Sequence, residues 1–331
     1  MQDILKGLRI VEGSAFIAAP MCGMTLAQLG ADVIRFDNLT GGIDYRRWPV
    51  TKDNNSIYWA DLNKGKRSFA VDLRSGRGRE LVTALITADS DDAGIFSTNL
   101  PAKGWLSYES LTKHRKDLIQ LAIIGDRHGG SALDYTVNAK VGYPDMTGPI
   151  DDARPVNHVF PAWDNITAYM GALSILAAER HRRISGQGQK VELALADCAL
   201  ATMGHLGFIG DLTINNETRP RFGNDLYGAL GRDFVSADGK RVIARGAQRA
   251  YAVVDLAPQG LVSRRHQSTA AFCRGLAVRD EAEPFQMADE FAANGDIAPV
   301  ISHTFPLEKL GAAETLMEQR GFFGKIVTGY G

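Results

Sequence analysis

Through the first third of the chain, apolar and polar positions switch between two periods. Leu8-Arg9-Ile10-Val11-Glu12 is short, apolar and rich in branched residues, which predicts a buried strand. Small residues follow over 13–20, and the spacing then predicts a helix over 21–29, closed by Gly30. Asp32-Val33-Ile34-Arg35-Phe36-Asp37 reads as a second strand. Strand, loop, helix, glycine and strand make a βαβ unit, whose crossover implies parallel neighbours. The pattern repeats as strand 68–73, helix 78–88, strand 94–99, helix 108–114 and strand 118–124. Such units are scaffold, or they present a ligand loop at a strand's carboxyl end, where open α/β sheets bind ligands. The first loop lacks the G-x-G-x-x-G fingerprint, so a dinucleotide site is not supported.

Periodicity fades over 126–160, a stretch rich in Gly, Asp, Pro and Asn that is too long for a plain connector. A long helix is predicted over 165–183, with Ile166, Tyr169, Met170, Leu173, Leu176 and Ala177 on one face. A strand over 190–195, an apolar helix over 198–209, and a hairpin turning at Ala237-Asp238-Gly239-Lys240 follow. Neither period is sustained over 246–286. Order returns as a helix over 287–293, an extended run over 297–301, a helix over 307–318 and a strand over 325–327.

Composition narrows the class. The 331 residues are enough for two domains, and 45% hydrophobic with 23% charged residues is ordinary for a soluble globular chain. A net charge of −1 gives no bulk attraction to nucleic acid or anionic membrane. Residues 1–7 lack an apolar core, so no signal peptide is expected, and no apolar run approaches the ~20 residues of a membrane span. Cys22, Cys198 and Cys273 are odd in number and widely spaced, which fits a reducing cytoplasm rather than a disulfide framework.

Three features carry candidate chemistry. Pro161-Ala162-Trp163-Asp164-Asn165 puts a carboxylate at the mouth of the long helix, where it can be fixed, kept ionised and aimed. Asp164 has two readings: a cap for the helix amides, or a nucleophile towards an acyl group. His158, six residues earlier, is either its acid/base partner or a loop histidine. Asn63-Lys64-Gly65-Lys66-Arg67 is either a phosphate cradle or a solvated turn. His128, His181 and His205 lack ligand spacing, so no metal is expected.

The ordered motifs resemble those of the family III CoA-transferases over roughly residues 5–245. The resemblance is carried by the opening strand and loop to Pro20, by Leu29-Gly30-Ala31-Asp32-Val33-Ile34-Arg35-Phe36, and by Asn63-Lys64-Gly65-Lys66-Arg67-Ser68. Ala178-Glu179-Arg180, Gly186-Gln187-Gly188-Gln189 and Arg221-Phe222-Gly223-Asn224 extend it. Asp44-Tyr45-Arg46-Arg47-Trp48-Pro49 and Asn157-His158-Val159-Phe160-Pro161 are closest to members that move CoA within one dicarboxylic acid. The resemblance implies an α/β fold with a Rossmann-like parallel sheet, and an interlinked homodimer. It implies acyl-CoA and dicarboxylate substrates, with CoA as co-substrate and no further cofactor.

It also implies Asp164 as the catalytic residue and CoA contacts at Phe16, Ile17, Ala18, Leu62, Asn63, Asn99 and Lys140. Lys64, Lys66 and Arg67 would face the CoA phosphates. Arg46 or Arg47 either holds the distal carboxylate of the acyl group as a fork or lies on the surface. The likeness is lost near Arg245, so three segments are expected. Residues 1–245 are the transferase region, 246–286 are irregular, and 287–331 resemble the tail of a quinone oxidoreductase. On that division the family's C-terminal part is incomplete or replaced. Two alternatives to CoA transfer stay open: an acyl-CoA racemase using His158 with Asp164, and a truncated chain that binds CoA without turnover.

Overall fold

The computed structural model describes residues 3–226 and five later strands, Gly231–Val235, Arg241–Ala247, Ala250–Asp255, Ile301–Pro306 and Lys325–Gly329. The chain divides into two compact units: one of residues 1–147 and 155–219, the other of residues 148–154 and 220–331.

The first unit is built on six parallel strands: β1 (Arg9–Gly13), β2 (Asp32–Asp37), β3 (Arg67–Ala70), β4 (Ile95–Thr98), β5 (Ile119–Ile124) and β6 (Gln189–Ala194). Their order is β3-β2-β1-β4-β5-β6. The order reverses between β1 and β4, so the loops after those two strands flank the switch point of the sheet, the usual ligand crevice of open α/β folds. Register is direct: Val11 lies opposite Ile34 on one side and Phe96 on the other. The central strands β1, β2, β4 and β5 are buried along most of their length because both sheet faces are covered, and they bury Glu12, Arg35 and Gln120 among apolar residues.

Helices α1 (Ala18–Gln28) and α7 (Ala162–Ser185) cover one face. Leu26, Ala172 and Ile175 meet Ile10, Val33 and Leu121 there. At Gly171 a β-carbon would lie 3.2–3.3 Å from Leu121, Cys22 and Ile123, so glycine allows α7 this close approach. Helices α3 (Gly76–Ile86) and α4 (Tyr108–Leu111) cover the other face, with Val82, Ile86 and Leu111 against Phe36 and Phe96. The unit also contains α2 (Ile57–Leu62), α5 (Asp134–Lys140), α6 (Tyr143–Met146) and α8 (Leu195–His205).

The sequence pattern places the parallel strands to within a few residues. Three differences have physical causes. Helix α1 starts at Ala18, because Pro20 is tolerated in a first helical turn that needs no amide donor there. Helix α7 starts at Ala162, because its first amides are capped from a distant element. The irregular stretch 126–160 contains α5 and α6, which are too short for periodicity to reveal.

The second unit contains an antiparallel sheet of β7 (Gly231–Val235), β8 (Arg241–Ala247) and β9 (Ala250–Asp255). Val235 pairs with Arg241, as the expected hairpin requires. Strands β10 (Ile301–Pro306) and β11 (Lys325–Gly329) pair in parallel. The helices expected over 287–293 and 307–318 lie outside the described residues.

Candidate active site

Helix α7 begins with a residue that cannot cap it. Pro161 occupies the N-cap position and offers no side-chain acceptor. The first amides therefore take their acceptor from α5: Asp134 Oδ2 receives Trp163 N at 2.8 Å and Asp164 N at 3.0 Å. Asn138, one turn further along α5, receives Trp163 Nε1 at 3.1 Å and donates to Asn157 at 2.6 Å. Asp164 is thus the third residue of the helix and is not its cap.

This arrangement corrects the expectation that the helix mouth keeps Asp164 ionised. The amides that would favour its charge are spent on Asp134. Asp164 is half-buried, and its carboxyl makes no hydrogen bond among the described residues. Burial first, and then the neighbouring Asp134 charge, push it up to about 7, with Arg47 pulling the other way. At neutral pH a large share of the carboxyl is ionised, yet it keeps the basicity of a much weaker acid.

Arg47 lies over two aromatic faces, 5.0 Å from the Tyr58 ring centroid and 5.4 Å from that of Phe16. The Tyr58 hydroxyl is buried without a partner, and burial pushes it up to about 12, so at neutral pH it is a hydrogen-bond donor. Phe16 itself stands at φ +63°, a left-handed backbone unusual for a bulky residue. Two clamps hold it there. Its amide donates to Asp44 Oδ2 at 2.7 Å, and Asn99 grips Ala15 from both sides, accepting from its amide at 2.9 Å and donating to its carbonyl at 2.7 Å. Asn99 follows β4 and Phe16 follows β1, so the clasp closes across the switch point.

The residues expected to hold CoA fall into different environments. Phe16 is exposed, Ile17 half-buried and Ala18 buried at the head of α1. Leu62 ends α2 and is half-buried. Asn99 is part of the clasp. Lys64 is exposed and, among the described residues, pairs with Asp61 at the surface, 2.8 Å away. Lys140 reaches Asp126 at 2.9 Å.

Lys66 does not form a phosphate cradle. Its ammonium is 1% exposed and donates to Glu12, Pro20 O and Asn63 at 2.7–2.9 Å. Asn63 is buried and also receives Arg35. Arg67 turns to the sheet edge, where Asp32 takes its fork at 2.6 and 2.7 Å. These three side chains hold the turn itself. Arg46 and Arg47 are both exposed; among the described residues Arg46 makes no hydrogen bond or ion pair, whereas Arg47 lies over the Phe16 and Tyr58 rings.

The nearest carboxylate recorded for His158 is Asp134, with Nε2 3.9 Å from Oδ1, and no contact with Asp164 is found among the described residues. Of the two readings of His158, partner of Asp164 or loop histidine, the geometry shows an approach to Asp134 instead. Sequence reasoning missed Tyr58 and the part played by Asp134. Ser56 three residues before Trp59 is a capping signal that marks α2 and hence Tyr58. A helix opened by proline signals a remote cap, but not which residue supplies it. Among the described residues, no group of three His, Cys, Asp or Glu is placed to hold a metal ion, and no helix is long and apolar enough to cross a membrane.

Comparison with known proteins adds independent findings. The sequence profile of CoA-transferase family III matches residues 5–259. The chain is 52% identical over 320 residues to 2-methylfumaryl-CoA isomerase of Chloroflexus aurantiacus, covering 96% of this chain and 76% of that protein. It is 31% identical over 255 residues to succinate–glutarate CoA-transferase of Agrobacterium fabrum, covering 73% of this chain and 63% of that one. A CAIB/BAIF family protein from Brucella suis superposes with a TM-score of 0.64 at 28% identity, covering 74% of this chain and 66% of that one. The chain thus spans less than two thirds of the length of the last two. A match over 96% of the chain runs past Arg245, so likeness to the isomerase continues where inspection of the sequence lost it.

Proposed function

The chain belongs to CoA-transferase family III, and we propose that it moves CoA between the C1 and C4 carboxylates of 2-methylfumaryl-CoA through a covalent intermediate on Asp164. The observation that carries this reading is the state of Asp164: a half-buried carboxyl at the switch-point side of α7, raised to about 7 and relieved of capping by Asp134.

In the proposed cycle an ionised Asp164 oxygen attacks the thioester carbonyl and expels CoA thiolate, leaving a mixed anhydride. The thiolate attacks the aspartyl carbonyl, so that CoA sits on Asp164 and the C1 carboxylate is free. The C4 carboxylate then attacks the aspartyl thioester, and the returning thiolate cleaves the new anhydride at C4. Each step exchanges one acyl bond for another, so nothing is hydrolysed if water is kept out. Arg47 is a suitable fork for the carboxylate not under attack, and the Tyr58 hydroxyl is a donor for an acyl oxygen. CoA enters as co-substrate, with Lys64 the nearby cation left accessible for its phosphates. A cytoplasmic homodimer completes the proposal.

The test is direct. The purified chain is incubated with the C1 thioester and the C4 thioester is followed by NMR, with isotopically labelled free acid present. Formation of unlabelled C4 thioester supports transfer within one molecule, and entry of the label contradicts it. Asp164→Ala should abolish exchange while leaving the chain folded, as a cooperative melt would show; an exchanging variant removes Asp164 from the chemistry.

A further inference from the structure

Asp134 does more than a cap requires. Ser, Thr or Asn would accept the amides of α7 equally well. A carboxylate brings an extra cost, because it is 4% exposed and its second oxygen, Oδ1, is buried without a hydrogen bond. The group facing that oxygen is His158, whose Nε2 stands 3.9 Å away and whose two ring nitrogens are also buried and unpartnered. The Trp163–Asn138–Asn157 bonds lock α5 against the first turn of α7, so Asp134 cannot withdraw from Asp164 without breaking that lock.

From this geometry we infer that Asp134 is a positioning residue for Asp164. It holds the first turn of α7 through one oxygen, so that the nucleophile's carboxyl is freed from the helix amides and faces a second buried negative charge. The inference rests on the reading of Asp164 as nucleophile and deepens it. The charged and titratable groups that act on Asp164 are Asp134 from α5, which also accepts its amide, Arg47 from the loop before α2, and Tyr58 from α2 itself; His158 approaches Asp134. A carboxylate nucleophile gains reactivity with basicity, and a like charge held close raises that basicity while Arg47 keeps the ion accessible.

The experiment separates the cap from the charge. Asp134→Asn keeps an acceptor for both amides and removes the charge; Asp134→Ser is a second neutral cap in case the amide does not fit. Two readouts are taken on the full chain: the rising limb of kcat/KM against pH, and the carbon NMR titration of aspartate carboxyls, with Asp164 assigned by the signal lost in Asp164→Asn. The inference predicts that a neutral cap moves both midpoints to lower pH, by about 1 or more, with the melting temperature retained. Midpoints that coincide with those of the wild type in a folded neutral-cap variant overturn it. A wild type without transfer activity counts against the nucleophile reading alone, because the carboxyl titration still decides the part played by Asp134.

Discussion

As the proposed nucleophile, Asp164 would have to be basic enough to attack a thioester and acidic enough to be ionised when it does. Its surroundings settle near the middle, at about 7, by setting burial and Asp134 against Arg47. Two outcomes follow. The rate kcat/KM should rise with pH through a midpoint near 7 as the carboxyl ionises. Arg47→Gln should move that midpoint to higher pH, since the cation favours the charged form; a midpoint that falls or stays contradicts the assignment. Stability has the opposite slope. The folded chain favours the protonated carboxyl more than the unfolded chain does, so stability is lost as pH rises from about 4 through 7. Asp164→Asn should therefore raise the melting temperature above wild type at pH 8 and leave it nearly unchanged below pH 4, as calorimetry would show. The same logic separates two neighbouring lysines. Lys66 is sealed against Glu12, so Lys66→Met should cost about 3–5 kcal/mol in denaturant unfolding. Lys64 is exposed, so Lys64→Ala should leave stability within about 0.5 kcal/mol of wild type and affect only the KM for CoA substrates.

Among the elements, the loop after β1 holds a bulky residue in a strained backbone. Phe16 keeps a left-handed backbone because Asp44 and Asn99 over-determine it, and Asp44 is in turn 3.6 Å from the buried Arg35. Asn99→Ala removes both bonds to Ala15 and should cost about 1–3 kcal/mol, raising KM more than it lowers kcat. Most of the parallel strands were legible in the sequence because they are short runs rich in branched and aromatic residues, separated by helical spacing and turn residues. Helix α7 was legible from Ile166 onward by its period, and Asp164 by its place at the helix mouth. What was not legible depends on partners far apart in the chain. The start of α7 is set by Asp134, 30 residues before Asp164, and Lys66 is claimed by Glu12, 54 residues earlier. Local spacing makes Lys64, Lys66 and Arg67 look alike; only the fold distributes them to solvent, core and sheet edge.

For the whole molecule, the sheet order reverses between β1 and β4, the kind of place where open α/β folds bind ligands, and the proposed CoA site is put there. A chain that binds CoA there should melt higher with CoA present, by an amount that grows with the logarithm of its concentration. Size exclusion should return a particle of two chains if the homodimer forms; a single-chain mass contradicts that part of the proposal. Binding without turnover would also raise the melting temperature, so the covalent intermediate is the claim on which the proposal depends. It is tested by mixing the protein with 2-methylfumaryl-CoA, adding hydroxylamine, and mapping the product by peptide mass spectrometry. An aspartyl thioester releases CoA thiol to hydroxylamine and leaves a hydroxamate. That hydroxamate is expected on Asp164, dependent on substrate and absent from Asp164→Asn. Turnover with Asp164 unmodified, or a hydroxamate on another residue, would contradict it.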